Sequence, residues 1–366
     1  MDALRSVNLA WNPRLAHLRF VAAALVLCFH SFHHFFGHWQ PHQGLAGFGW
    51  LVEGHGGVSL FFVLSGYLLM SIALNAPGAL DYRAFVRNRA LRIFPLLVVV
   101  FVVAISIGRD AFRPADVLYV WLTNLGAAPT SNQFITGAAW TIGVEFCFYL
   151  VFPFIARFAI NDGPAYLLRL IGLVLLWKLG GWLLSAQPTH MVYSTLLGRF
   201  DQFLIGMLAA QLAQRHLRKG LHGGWLLAAL LLWWAGLEWQ ARVASYFLAE
   251  PRQLAWLAWP TLEALLWAGV LLAYLHWRGT LWPRLGRALE AGGEISYSLY
   301  LCHALVIDLL GRVIAPQQWT TIPALNIALC AALVLGLCWP LAAISYRTIE
   351  APFLRLRGAY TSPPPP

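Results

Sequence analysis

Residues 18–36 read LRFVAAALVLCFHSFHHFF. A run of this length and apolarity, wound as a helix, spans the hydrocarbon core of a bilayer, about 30 Å. Two side chains inside it are costly there. Arg19 opens the run and His30 sits eleven residues deeper, an axial separation of roughly 16 Å at the α-helical rise. The guanidinium therefore lies at one membrane boundary and the imidazole near mid-depth. Ionisable groups placed in a membrane mark functional positions, because lipid offers them no hydrogen-bond partners.

The rest of the chain has the same character. Of its 366 residues, 60% are hydrophobic and 11% charged, which excludes an ordinary water-soluble domain and predicts a polytopic membrane protein. The stretch before the first span has no basic stub, short apolar core and small-residue cleavage site in that order, so this span is expected to be retained. Cys28, Cys147, Cys302, Cys330 and Cys338 all fall within apolar runs, as small buried hydrophobes with neither a disulfide framework nor a CxxC spacing. The net charge of +10 belongs to loops between spans, a distribution that membrane topology explains and nucleic-acid binding does not.

Hydropathy predicts an all-α transmembrane bundle of ten spans near 18–36, 56–75, 93–108, 138–156, 165–184, 196–213, 223–239, 254–276, 293–314 and 323–346. Basic clusters alternate with them. Arg83, Arg87, Arg89 and Arg92 form one, Arg215, Arg218 and Lys219 a second, Arg278, Arg284 and Arg287 a third, and Arg347, Arg355 and Arg357 a fourth. With Arg5 and Arg14 in the cytoplasm, ten spans put every cluster on that side and both termini inside. Residues 109–137 are too short in apolar content for a crossing and are read as a re-entrant or interfacial piece. Residues 1–357 form one integral-membrane domain, and 358–366, ending in TSPPPP, a disordered proline-rich tail.

The polar residues inside the spans carry the chemistry. His30, His34 and His38 recur every four residues, predicting a stripe along one helical face, with His33 beside it. Metal ligation is the lesser reading of that stripe, since no carboxylate is near in sequence, and no metal is expected. Arg89 and Arg92 are three apart at the mouth of the third span, so two guanidinium forks converge on one phosphate or pyrophosphate. Glu145, in WTIGVEFCFYL with Trp140 and Tyr149, is a lone acid in an apolar helix and needs an imidazole or arginine. Asp201, Ser296, Tyr297 and His303 add further polar groups, which in membrane helices ordinarily serve helix–helix hydrogen bonds.

Several of these pieces together resemble the acyltransferase 3 family of bacterial integral-membrane acyltransferases. They are Arg19 with His30, FFVLSGYLL at 61–69, RALRIFP at 89–95, WTIGVEFCFYLVFP at 140–153, RFDQFLIGM at 199–207, ISYSLYLCHALV at 295–306 and ISYRTIEAPF at 344–353. They follow the family's order over nearly the whole chain. The extra histidines after His30 depart from its pattern. The hydrolase-like extracytoplasmic domain fused to some members has no counterpart here, so direct delivery to the acceptor is expected.

The resemblance implies an O-acetyltransferase of the bacterial inner membrane, with acetyl-CoA as donor and membrane lipids around it. The acceptor is a hydroxyl of a cell-surface polysaccharide or lipid-linked glycan, exopolysaccharide foremost. It implies functional roles for Arg19, His30, Arg89 and Arg92, and matches Glu145 to the family's motif acid. His30 is then the base or an acyl-carrying nucleophile, with Glu145 orienting it. Arg19, Arg89 and Arg92 hold the CoA phosphates, and Trp140, Tyr149, Asp201, Tyr297 and His303 serve the substrates. Two rivals remain at this point: a lipid-linked glycan flippase with a His/Glu proton relay, and a haem protein using His30 and His303.

Overall fold

The computed structural model describes residues 8–39, 47–107, 139–186, 188–217, 220–245 and 253–361. Among them are eleven helices of twelve residues or more: α1 Pro13–Phe32, α2 Gly56–Asn75, α3 Tyr82–Ile107, α4 Trp140–Asp162, α5 Pro164–Leu184, α6 Leu196–His216, α7 Gly223–Val243, α8 Leu254–Leu275, α9 Pro283–Glu294, α10 Ser296–Gly311 and α11 Pro323–Ser345. The described residues hold no β-strand beyond an isolated bridge between Leu221 and Trp277. Seven of the helices, some extended by the short turns that follow them, are long and apolar enough to cross a membrane. The pair α9 and α10, bent by 74° at Ile295, makes an eighth if taken as one span. α6 and α7 have the length but carry Arg199 and Asp201, or many tryptophans, which lowers their mean hydropathy. The segment 109–137 lies outside the described residues, as do Arg5, Arg218, Lys219 and residues 362–366.

The outward faces of α3, α4, α5 and α7 present large apolar side chains. Leu184 is 88% exposed, Leu232 64% and Leu176 62%. In water such a belt would aggregate; lipid is the solvent that accepts it. This is a multi-pass membrane protein.

With no hydrophobic drive between helices in lipid, close packing holds the bundle together. α2 and α6 form its most intimate pair. A Cβ on Gly66 would overlap the Phe203 carbonyl, and one on Gly206 the Val63 carbonyl. That approach lets Phe203 stack on Phe148 of α4 at 4.1 Å and meet Phe62 at 4.6 Å. Gly57 gives α1 the same access to α2, against Ala22, and Gly293 lets α9 lie on Ala16. The glycines of FFVLSGYLL and RFDQFLIGM thus serve helix approach.

The basic loops gather at one end. Arg14 donates to the carbonyls of Tyr274, Leu275, Trp277 and Gly279, closing the end of α8 over the start of α1. Arg278 reaches Gly220, and Asn88 pairs with Gly358 in both directions. One expectation is corrected here. The chain does not leave the domain at 357: Tyr360 is buried, its amide donates to Asn8 and its carbonyl accepts from Asp81. An aromatic ring next to a polar tail finds a slot between α3 and the N-terminal segment.

Replacing Gly206 by valine should force α2 and α6 apart and lower the melting temperature of the detergent-purified protein by several degrees or abolish folded yield. Gly172→Ala, where an added Cβ meets nothing within 4 Å, should leave it unchanged or slightly higher.

Candidate active site

A cavity of about 490 Å³ opens at the basic end of the bundle. Arg19 from α1, Arg89 and Arg92 from α3, and Arg347, Arg355 and Arg357 from the C-terminal segment line it, with Glu145, Tyr149 and Tyr297. Sequence and fold cooperate: Arg89 and Arg92 share a face of α3 by their spacing, and the packing of α1 brings Arg19 to them. Arg19 lies within electrostatic range of Arg92, Glu145, Tyr149 and Glu350.

The arginines are only partly satisfied. Arg92 donates from Nη1 to Glu350 at 3.0 Å and lies over the Tyr297 ring at 5.5 Å, yet its Nη2 is buried without a hydrogen-bond partner. Arg89 donates to the Tyr360 hydroxyl and sits among the rings of Phe85, Tyr149 and Tyr360, with its Nε likewise buried and unbonded. Arg357, beyond the last span, is pushed down to about 10 by burial and by the positive charges of Arg92 and Arg89. Crowded cations with unused donors in a recess are the chemistry of an anion site.

Glu145 does not face His30. Its carboxylate accepts from Ser65 at 2.5 Å and from the Tyr149 hydroxyl. The expectation that it orients the imidazole is therefore corrected: Glu145 belongs to the arginine cavity, one turn of α4 below Tyr149, where it offsets guanidinium charge.

His30 has a different partner. Its Nδ1 is 3.0 Å from the Val26 carbonyl and 3.0 Å from His303 Nε2, while His303 Nδ1 is 2.6 Å from the Tyr300 carbonyl. Carbonyls only accept, so both Nδ1 atoms carry the proton. His303 Nε2 then accepts from His30 Nδ1, and His30 is left with its lone pair on Nε2. The two carbonyls and His303 thus set the tautomer that a general base or a nucleophile needs. Nitrogens in hydrogen-bond contact leave no space for an iron between them, which removes the haem reading of this pair.

Tyr300 joins the two regions. Its ring lines the cavity, its hydroxyl meets Thr141 Oγ1 at 2.9 Å, and its carbonyl holds His303. The arginine recess therefore runs up to Tyr300 and Thr141, with the histidine pair next behind them.

Other expectations are redistributed. The histidine stripe is interrupted because His33–Gly37 form a π-helical turn, after which His38 and Trp39 take left-handed backbone angles. His33 then stacks on Trp39 and bonds the Val52 carbonyl, and His34 turns toward Gly311. Asp201 is not in the cavity: it forms a fully buried ion pair with Lys178 at 2.7 Å and accepts from Thr261 at 2.5 Å. A lone lysine in α5 needed that acid. Trp140 lies under Arg199 and against Tyr193, and its neighbours Thr141 and Ile142 face the cavity instead. Sequence reasoning missed Glu350, visible as the buried acid of ISYRTIEAPF, and Tyr360, which carried no signal.

The model of the acyltransferase 3 family, described as "Acyltransferase domain", matches residues 12–343. The chain belongs to this family. The convergence of Arg19, Arg89, Arg92 and Glu145 gives the family's motifs a common location. Over 181 residues it is 28% identical to the "O-acetyl transferase" of Shigella phage Sf6, an overlap covering 44% of this chain and 51% of that protein. The chain thus spans about half the length of this curated relative. No solved structure matches it.

If His303 fixes the reactive tautomer, His303→Phe should lower turnover about tenfold or more, as loss of a positioned base does, while folding and donor affinity stay at wild-type level. A parallel loss of donor affinity in a binding titration would assign His303 to folding.

Proposed function

We propose that this acyltransferase moves an acetyl group from acetyl-CoA to a hydroxyl of a cell-surface polysaccharide or its lipid-linked precursor, an exopolysaccharide foremost. In this reading it lies in the bacterial inner membrane with ten spans and both termini in the cytoplasm, so the arginine-lined mouth opens to the cytoplasmic acetyl-CoA pool. The observation that carries the proposal is the pairing of unbonded arginine donors in a cavity with a tautomer-set histidine pair directly behind Tyr300 of its wall. The relative's name, O-acetyl transferase, supports the choice of acetyl and of an oxygen acceptor.

Arg89 and Arg92, with Arg19 above them, fit the phosphates of CoA: Arg89 Nε and Arg92 Nη2 are donors left for an anion. The roughly 16 Å from Arg19 to His30 along α1 is comparable to a pantetheine arm. His30 Nε2 then takes the acceptor hydroxyl proton as the oxygen attacks the thioester carbon. The Val26 carbonyl and His303 support the imidazolium at Nδ1. The C–O bond forms, the C–S bond breaks, and the proton passes to the departing thiolate. Thr141 and Tyr300, whose hydroxyls share one hydrogen bond in the cavity wall, supply an O–H for the developing oxyanion.

The flippase alternative needs a proton path joining His30 and Glu145. The hydrogen bonds of Glu145 run to Ser65 and Tyr149, which favours the enzyme.

His30→Ala should abolish base-labile acetate on the envelope carbohydrate of expressing cells while the purified protein still binds labelled acetyl-CoA. Arg92→Ala should weaken that binding about tenfold, the order expected for one charged hydrogen bond. Undiminished acetylation by the His30 variant would remove it from the mechanism.

A further inference from the structure

The cavity carries one group that phosphate binding does not explain. Trp11 lines it, 39% exposed, at the same mouth as the arginines. Its position is built: the indole Nε1 donates to Glu290 Oε1 at 2.7 Å, fixing the ring to α9. The following residue, Asn12, caps α1 by accepting from the Arg14 amide at 3.0 Å. Arg14 is itself clamped by four carbonyls, which fixes the start of the helix that follows Trp11.

Its place along the chain is informative. Trp11 lies just before the cap of α1, ahead of Arg19 in the first turns, and Arg19 precedes His30 by eleven residues, roughly 16 Å at the helical rise. One helix and its cap thus present an aromatic ring, a guanidinium and an imidazole in that order. A nucleotide thioester presents a purine, a phosphate chain and an acyl carbon in the same order. A compact acyl phosphate would reach the arginines without extending to the ring.

We propose that Trp11, positioned by Glu290, is the stacking platform for the adenine base of the acyl donor. This rests on the reading of acetyl-CoA as donor and adds to it a subsite that selects the nucleotide end. The competing role for an aromatic at this depth is a membrane-interface anchor, which would act on the fold and so on all ligands alike.

The test compares equilibrium binding of two probes to the full-length purified protein: acetyl-CoA, and acetyl-phosphopantetheine, which keeps the thioester and arm but lacks the adenosine. Trp11→Ala should weaken acetyl-CoA about tenfold, the order of one base–aromatic stack, and leave acetyl-phosphopantetheine within twofold. Trp11→Phe should recover most of the loss. Glu290→Ala should weaken acetyl-CoA selectively by a smaller factor, with Glu290→Gln, which still accepts from the indole, restoring it. Equal weakening of both probes, or no change in either, would overturn the subsite while leaving acetyl-CoA as donor. If wild-type protein binds neither probe, the donor reading falls and the subsite with it.

Discussion

The structure is organised around an excess of positive charge held in a recess of a membrane bundle. Six arginines line the cavity with two carboxylates, Glu145 and Glu294, and Glu350 stands behind Arg92. Like charges at such spacing repel strongly in a medium of low polarisability. The fold tolerates them through aromatic faces, one buried ion pair and the Tyr360 hydroxyl, and still leaves donors on Arg89 and Arg92 unbonded. In the proposed reading an anionic donor relieves that imbalance. The C-terminal segment takes part in the arrangement, since Glu350, Arg357 and Tyr360 all belong to it.

α1 gives this charge a direction. It carries Arg19 at the cavity and His30 beyond it, and packs on α2 through Gly57 and on α9 through Gly293. Small residues at those contacts keep α1 close enough to the bundle for Arg19 to meet α3 and for His30 to meet His303 on α10. A change at a glycine far from the chemistry would therefore be felt as a misplaced imidazole. Site and packing are one constraint in this protein.

Much of this was legible in the sequence, for reasons that differ by residue. The helices follow from apolar runs whose length matches a bilayer, and α2 begins and ends at the expected residues. Arg19, Arg89 and Arg92 were legible because a charge at a span boundary has few rotations that avoid lipid. Glu145 was recognised as needing a partner, but its partners are hydroxyls on α2 and on its own next turn, a choice fixed by helix rotation. His303 was assigned to a substrate, while its bond to His30 joins residues 273 positions apart. Asp201 misled because its partner Lys178 lies deep in a mostly apolar helix, 23 residues away in sequence. The histidine stripe failed where one π-helical turn changed the period, and Tyr360 was hidden beside a polar tail with no hydrophobic pattern of its own.

The central claim is that one passage joins an anion site at the arginines to a base at His30. The most direct measurement is a cryo-EM structure of the purified protein with an unreactive thioether analogue of acetyl-CoA. The account predicts the diphosphate within hydrogen-bond distance of Arg89 Nε and Arg92 Nη2, and the acyl-equivalent carbon beside His30 Nε2. An analogue whose diphosphate lies away from these arginines, or whose arm ends short of Tyr300 with His30 uncontacted, would contradict it.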